Sequence, residues 1–410
     1  MHILLLTDSL QTYPECIHSG YAHIISALLH GNHQISILYS GNFIDSPSWL
    51  QKANTYYMAD SSDSQNYSLK SILKLIFRPQ KHYLKKINLW KQNICSLLEK
   101  QQKFNLIFVL PGNNSNIINH ALSEISTNIP WIGDASSNWD TLLKEKHFYY
   151  YNKKLKYNIS NIINKAAFLT CPSMRLYERL QKRIPNLKQK LLYIPFPNSN
   201  IEGLHLDPND TNIKFSPSTF TLLYPGNLNN GIFQHRFLNA FSRFIKQSYE
   251  GKNHIKLLLT GNIDSKIIKR IKKHGLKSNT YIINVSYYKL LELFQETSAL
   301  LHIEENNNDA ILLPHYLPAY IASGRTIIAL TQYHSETKRL LKNNNTIYAN
   351  STDEDDIYYS FVRAWSQWKN EESNKHYPES LTYLISEQNF NNVIDIALRC
   401  SINTNVSIKQ

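Results

Sequence analysis

The stretch Leu317-Pro318-Ala319-Tyr320-Ile321-Ala322-Ser323-Gly324-Arg325-Thr326-Ile327-Ile328-Ala329 decides the fold. A helix-compatible run stops at the Ser323-Gly324-Arg325 corner, and a β-branched strand begins at once. Gly324 suits a helix C-cap in left-handed geometry, since it has no Cβ to clash there. Arg325 is placed to meet a carboxylate or a helix end nearby. Upstream lie a buried strand, Ala299-Leu300-Leu301-His302-Ile303, and a polar loop from Glu304 to Asp309. Strand, loop, helix, glycine corner and strand form a βαβ unit of a doubly wound sheet, with ligands expected where loops leave the carboxyl ends of strands.

The same alternation extends outward in both directions. Ile3-Leu4-Leu5-Leu6 reads as a short buried strand, Tyr21 to Leu29 as a helix broken at Gly31-Asn32-His33, and Ile35-Ser36-Ile37-Leu38 as the next strand. Further strands are expected at Leu106 to Leu110, Trp131 to Gly133, Phe168 to Cys171 and Leu191 to Pro195. Asn198 to Ser218 is polar and aperiodic, a linker. Beyond it strands recur at Thr219 to Tyr224, Ile255 to Leu259, Tyr281 to Val285, Leu300 to Ile303, Thr326 to Leu330 and Thr346 to Tyr348. Asp353-Glu354-Asp355-Asp356 is expected to start a helix, where the dipole favours negative charge. The fold class is α/β: two doubly wound, Rossmann-like domains facing a cleft, over 1–197 and 219–384, with a linker at 198–218 and a C-terminal helix in 385–410.

Composition narrows the classes of function. At 410 residues, 42% hydrophobic and 12% aromatic, the chain can build two cores. Cys16, Cys95, Cys171 and Cys400 have no metal-ligand or redox spacing and read as reduced thiols. No cluster of carboxylates has metal spacing, so no catalytic metal is expected. No apolar run approaches the roughly 20 residues that span a bilayer, and the N-terminus lacks the features of a signal peptide. A net charge of +13 calls for an anionic partner: nucleotide phosphates, anionic lipid or nucleic acid. No nucleic-acid-binding motif is recognisable, so nucleic acid is not expected. Ser64 to Leu98 has no acidic residue and interleaves Lys74, Arg78, Lys81, Lys85 and Lys86 with apolar residues and Trp90. That pattern suits an acceptor or membrane surface, or an ordinary amphipathic helix with a solvated basic face.

Leu317 to Ala329 resembles the donor-site segment of GT-B glycosyltransferases, which runs roughly Lys-Leu-Pro-Glu-Tyr-Leu-Ala-(Ala/Ser)-Gly-Arg-Pro-Ile-(Ile/Leu)-Ala. The opening strand, glycine loop, helix, Gly31-Asn32-His33 corner and second strand look like the family's start. Ile129-Pro130-Trp131-Ile132-Gly133-Asp134 through Asp140 is similar to its Pro-Trp-Ile-x-Asp-x-x-Asp-x-Trp segment. The likeness is to the family 4 glycosyltransferases of surface-polysaccharide assembly. It implies the GT-B fold, with the last helix crossing back to the first domain. The implied reaction moves a sugar from a nucleotide-sugar, as substrate and without a further cofactor, to a glycan or lipid-linked acceptor. Retention of configuration is implied by analogy. So is a cytoplasmic protein, peripheral at the inner face of the membrane.

For site residues, Tyr224-Pro225-Gly226-Asn227 reads as a strand-to-helix corner where phosphate could approach backbone N–H groups, or as a plain turn. The basic residues that follow are His235 and Arg236. Gly261 marks a second such corner, and Gly20 a first-domain loop that could touch donor or acceptor. His315, Tyr316 and Leu317 sit where a helix start could reach donor phosphates. Glu304 and Glu305, at a strand end, are the candidate hydroxyl-binding carboxylates. Asp134 is a candidate acceptor-side group or a helix N-cap. The chain departs from the family where Lys becomes Tyr316, where its two donor-site glutamates become Ile311 and Ala319, and where the second Asp becomes Ser137. These departures motivate an alternative, a catalytically inactive GT-B protein acting as partner or scaffold of an active transferase.

Overall fold

All strand pairings among the described residues are parallel. The structure, a computed structural model, describes residues 1–8, 19–40, 52–58, 79–100, 104–112, 114–135, 139, 158–201, 215–226, 231–248, 254–261, 263–304, 310–342, 346–370 and 379–407. Parallel sheets need cover on both faces, which is why strands such as Thr326–Thr331 are buried along their whole length. The chain divides into two compact units, the second comprising Gly203–Ser386 and the first gathering Tyr21–Glu202 and Glu387–Gln410 around the N-terminal strand.

The first unit holds strands β1 (His2–Thr7), β2 (Gln34–Ser40), β3 (Asn54–Met58), β4 (Leu106–Val109), β5 (Trp131–Asp134), β6 (Phe168–Cys171) and β7 (Leu191–Tyr193). Their order in the sheet is β3-β2-β1-β4-β5-β6-β7. Helices α1 (Ser19–His30), α2 (Pro79–Lys100), α3 (Ser115–Ser123), α4 (158–165) and α5 (Met174–Arg183) accompany them. β3 has no counterpart in the strands read from sequence. It is a sheet-edge strand, and Asn-Thr-Tyr-Tyr-Met lacks the apolar run that marks a central one.

The second unit holds β8 (Phe220–Pro225), β9 (Ile255–Thr260), β10 (Thr280–Ile283), β11 (Ala299–Ile303), β12 (Thr326–Thr331) and β13 (Thr346–Asn350), ordered β10-β9-β8-β11-β12-β13. Its helices are α6 (Gly231–Gln247), α7 (Ser265–Lys273), α8 (Tyr287–Glu296), α9 (Leu317–Ser323), α10 (Glu336–Leu340), α11 (Glu354–Lys369) and α12 (Glu379–Leu384). Phe361 of α11 meets Phe237, Phe241 and Phe244 of α6 at ring separations of 5.8, 5.5 and 5.7 Å. Each buried ring contributes on the order of 2 to 3 kcal/mol by burial alone.

Local chemistry sets the element ends. Gly324 adopts φ 66°, closing α9 in left-handed geometry as expected. Arg325 donates to the Gln295 carbonyl near the end of α8, so the helix-end reading of that residue holds. The Asp353 carboxylate accepts from the Asp355 and Asp356 N–H groups, starting α11 at the acidic run. Among the described residues, no helix is long and apolar enough to cross a membrane.

The final helix, α13 (Glu387–Ser407), packs on the first unit. Asn391 donates to the Ala27 carbonyl at 2.7 Å, and Phe390 lies 6.4 Å from Phe108. A Cβ at Gly31 would come within 2.9 Å of Asn391, so the close approach requires glycine. The Glu387 carboxylate accepts from the Ser199 hydroxyl and the Asn200 N–H at 3.1 Å, and faces His30 at 3.0 Å. Burial would raise its pKa, but the hydrogen bonds from Ser199, His30 and Asn200 outweigh that and hold it below the ordinary carboxylate range. Ser199 also meets the buried His23 ring, whose pKa burial pushes down from 6.5 to about 4.

Both groups have folded-state pKa values below their unfolded ones, so the unfolded chain takes up protons first as pH falls. Stability is full above pH 6.5. It declines as His23 is drawn towards protonation between 6.5 and about 4, a loss on the order of 3 kcal/mol, with Glu387 adding to the loss at the acid end. Urea midpoints measured from pH 7 to pH 4 should track this slope, and His23→Gln should flatten it. An unchanged slope in that variant would remove His23 from the account.

Candidate functional site

In each sheet the strand order reverses once, between β1 and β4 in the first unit and between β8 and β11 in the second. Chains leaving neighbouring strands at a reversal diverge and open a crevice outside the carboxyl ends, the usual place for a ligand in such sheets.

In the second unit, Gly226 follows β8 and Glu304 follows β11, so these two candidates flank the reversal. Gly226 is not an open phosphate cradle. Its N–H donates to the Thr260 carbonyl at 3.2 Å, and a Cβ there would stand 3.2 Å from the Tyr224 hydroxyl, a tight contact. Gly261, after β9, has φ 103°, a conformation that favours glycine. Asn227 lies outside the described residues. Arg236 is on the second turn of α6, the helix that follows β8. It is half-buried and makes no ion pair or hydrogen bond among the described residues.

Glu304 is 7% exposed and tied into its own unit. Its carboxylate accepts the Gln332 N–H at 2.8 Å and the Ser335 hydroxyl, and lies 3.6 Å from His302 Nε2. His302 hydrogen-bonds the Tyr316 hydroxyl through Nδ1 at 2.7 Å and contacts Thr337 Oγ1 through Nε2 at 3.3 Å. One buried network therefore joins β11, α9 and the β12–α10 connection. Two expectations change. Tyr316 turns its hydroxyl onto His302 rather than outward to a phosphate, and Leu317 is fully buried in the apolar cluster. His315 is half-buried in the turn before α9, and Glu305 lies outside the described residues. Ile311 and Ala319, at the family's two glutamate positions, are both buried.

In the first unit, Asp8 follows β1 and Gly112 follows β4. Asp8 Oδ2 accepts the Asn114 N–H at 2.8 Å and its side-chain amide at 3.2 Å, while the Tyr21 hydroxyl lies 3.5 Å from Oδ1. A Cβ at Gly112 would fall 2.5 Å from Asp8 Oδ1 and 2.7 Å from the Tyr21 hydroxyl, so only glycine permits this approach. Burial, followed by the charges of Asp8 and Asp134, pushes the Tyr21 phenol far up, which keeps it protonated. Asp134 is fully buried and accepts the Ser115 hydroxyl in the first turn of α3 at 2.7 Å, while Asn119 bridges its backbone. It holds α3 on the sheet. Asp8, Tyr21 and Asn114 were not singled out from sequence; the only signal is an acid directly after the first strand.

Gly20 is the second residue of α1. Of the basic span, Lys74 and Arg78 lie outside the described residues, and Lys81 is described only as part of α2. Lys85 is exposed and Lys86 half-buried. Trp90, expected on the acceptor or membrane surface, is 3% exposed and belongs to the core, because it falls on the inward stripe of α2 with Ile87 and Ile94.

If Glu304 organises its loop, Glu304→Ala strands the Gln332 N–H and the Ser335 hydroxyl. Such a loss costs about 1 to 3 kcal/mol. Calorimetry should show a lower melting temperature for this variant, and an unchanged melt would contradict the network.

No protein-family profile matches the chain, and no curated protein sequence is significantly similar. Solved structures do match. The apo form of a lipopolysaccharide outer core galactosyltransferase is 15% identical, with a TM-score of 0.56 over 96% of this chain and 99% of that one. Sucrose-phosphate synthase from Thermosynechococcus elongatus is 11% identical, with a TM-score of 0.62 over 100% of both chains. The S. aureus MnaA structure with UDP is 13% identical, with a TM-score of 0.57 over 97% of both. Identities this low speak to architecture alone. Two Rossmann-like units built in this order, matched along their full length, give the chain the GT-B fold of the glycosyltransferases.

Proposed function

We propose that the protein is a glycosyltransferase that moves a sugar from a nucleotide-sugar donor to a hydroxyl of a glycan or lipid-linked acceptor. The C1–O bond to the leaving diphosphate breaks, a C1–O bond to the acceptor forms, and the acceptor proton leaves. The observation that carries this reading is Arg236, a half-buried cation without a carboxylate partner among the described residues, on the helix that leaves β8 at the strand-order reversal of a GT-B chain. A guanidinium there suits a diphosphate, whose leaving charge it would stabilise more in the transition state than in the ground state. The reading assigns that charge to basic side chains and helix ends, with no metal or further cofactor. The UDP bound in the S. aureus MnaA structure supports a nucleotide as ligand. In this reading Asp8, fixed by Asn114 at the first unit's reversal, takes the acceptor-side role. Retention of configuration, a place in surface-polysaccharide assembly and a cytoplasmic, membrane-peripheral location complete the proposal by analogy with the family.

A second reading is favoured by a specific observation. Ile311 and Ala319 put apolar side chains where the family carries glutamates, and Glu304 is committed to its own unit. That pattern suits a catalytically inactive partner or scaffold of an active transferase. Titration calorimetry with UDP, GDP, CMP, ADP, dTDP and their sugars separates the two. The transferase reading predicts selective binding of one nucleotide, weakened about tenfold or more by Arg236→Ala, since hydrogen bonds to charged groups contribute about 1.5 to 3 kcal/mol. A well-folded protein that binds none of them is the scaffold.

A further inference from the structure

Residues 265–291 contain no aspartate or glutamate, a property they share with the longer basic span from Ser64 to Leu98. In the second unit this stretch builds α7, the turn after it, and the edge strand β10. Ile267 and Ile271 of α7 are buried in the core. At 3.6 residues per turn, Lys266, Lys269, Lys272 and Lys273 fan across the opposite side of the helix. All four are exposed, as is Lys277 in the following turn, and none pairs with a carboxylate among the described residues. Asp264 is committed to capping the helix, accepting the Lys266 N–H at 2.9 Å.

α7 meets α6 where the charges are mixed, since Glu354 accepts from Asn239 and Asp355 pairs with Arg243 of α6. The Ser242 hydroxyl donates to the His274 carbonyl at 2.9 Å, tying the two helices together. Beside that contact is a polar recess of about 300 Å³ whose lining includes Ser242, Lys246, Gln247, His274 and Glu354. Burial, then the charges of His235, Lys273 and Lys246, hold the His274 imidazole below its ordinary range, a sign of the field at this surface.

Apolar groups flank the cations. Ile282 of β10 is 42% exposed and Tyr281 40%. Ile283 points into the cluster on one face of the sheet, so the alternation of strand side chains puts Ile282 on the other face, where α7 packs.

We propose that the face formed by α7 and β10 docks the protein on an anionic lipid surface. Lysines on α7, with an exposed aliphatic side chain on the edge strand that follows it, suit a bilayer, where ammonium groups meet headgroup phosphates and the apolar group enters the interface. Single-stranded nucleic acid fits less well, because it needs open aromatic platforms. The Tyr281 ring is already occupied, by the edge of Phe215 at 5.9 Å and by Lys256 Nζ at 5.5 Å. This surface is separate from α2, and it stands or falls independently of the donor site.

Co-sedimentation of the full chain with vesicles tests the proposal. Vesicles of phosphatidylcholine with one-third phosphatidylglycerol should bind the protein, and pure phosphatidylcholine should not. Raising the salt should weaken binding, since screening shortens the range of surface charge. Lys266→Glu/Lys269→Glu/Lys273→Glu should reduce partitioning about a hundredfold or more, on a scale of about fivefold for each lysine removed and more for each reversed. The same three positions changed to Gln give a milder loss in the same direction and guard against misfolding, checked by an unchanged melt. Lys182→Glu/Lys188→Glu, at exposed positions of the first unit, should bind as wild type. Equal binding to neutral vesicles, retention in the triple variant, an equal loss in the Lys182/Lys188 variant, or capture by single-stranded DNA in place of vesicles would each overturn the assignment.

Discussion

Parallel strand pairing is the constraint on which the rest of this structure depends. It demands cover on both faces of a sheet, so each strand must be followed by a crossover helix, and loops of one kind collect at the carboxyl ends. Because strand order reverses once in each sheet, two neighbouring loops part there. Asp8 and Gly112 mark that point in the first unit, Gly226 and Glu304 in the second. The candidate site is thus a consequence of topology before any side chain is considered.

What side chains add is rigidity around those points. Glu304, His302 and Tyr316 form a buried chain of hydrogen bonds, and Asp8, Tyr21 and Asn114 form a second around a glycine that cannot carry a Cβ. Buried polar groups are costly unless paired, so such networks hold one arrangement of the surrounding loops. Glu387 does similar work at the start of the final helix, tying that helix to the Ser199–Asn200 segment within the first unit.

The architecture was legible in the sequence because apolar runs and glycine corners are local signals. Thr326 to Leu330 reads as a buried strand by itself, and Gly324 reads as a cap. β3 escaped because an edge strand has no need of a continuous apolar run. The site was less legible, since burial is decided by tertiary packing. Nothing local tells that Asp134 is fully enclosed while Asp8 is partly open, or that Tyr316 folds back onto a histidine fourteen positions earlier. Trp90 shows the same limit. A helix with five lysines and no acidic residue before Glu99 looks like a surface, yet its tryptophan lies on the inward stripe. The basic face of α7 was overlooked in turn, because four lysines, an arginine and three isoleucines alternate too evenly to stand out until the helix separates the lysines from the buried Ile267 and Ile271.

Hydrogen exchange in the presence of nucleotide tests the central claim most directly, that the reversal between β8 and β11 is where this chain takes its ligand. Backbone amides would be followed by mass spectrometry with UDP, GDP, CMP, ADP and dTDP in turn. The account predicts that one of them slows exchange in peptides covering the end of β8, the start of α6 and the end of β11, and leaves α7 and β10 unchanged. Protection confined to other elements, or none with any nucleotide, would contradict it.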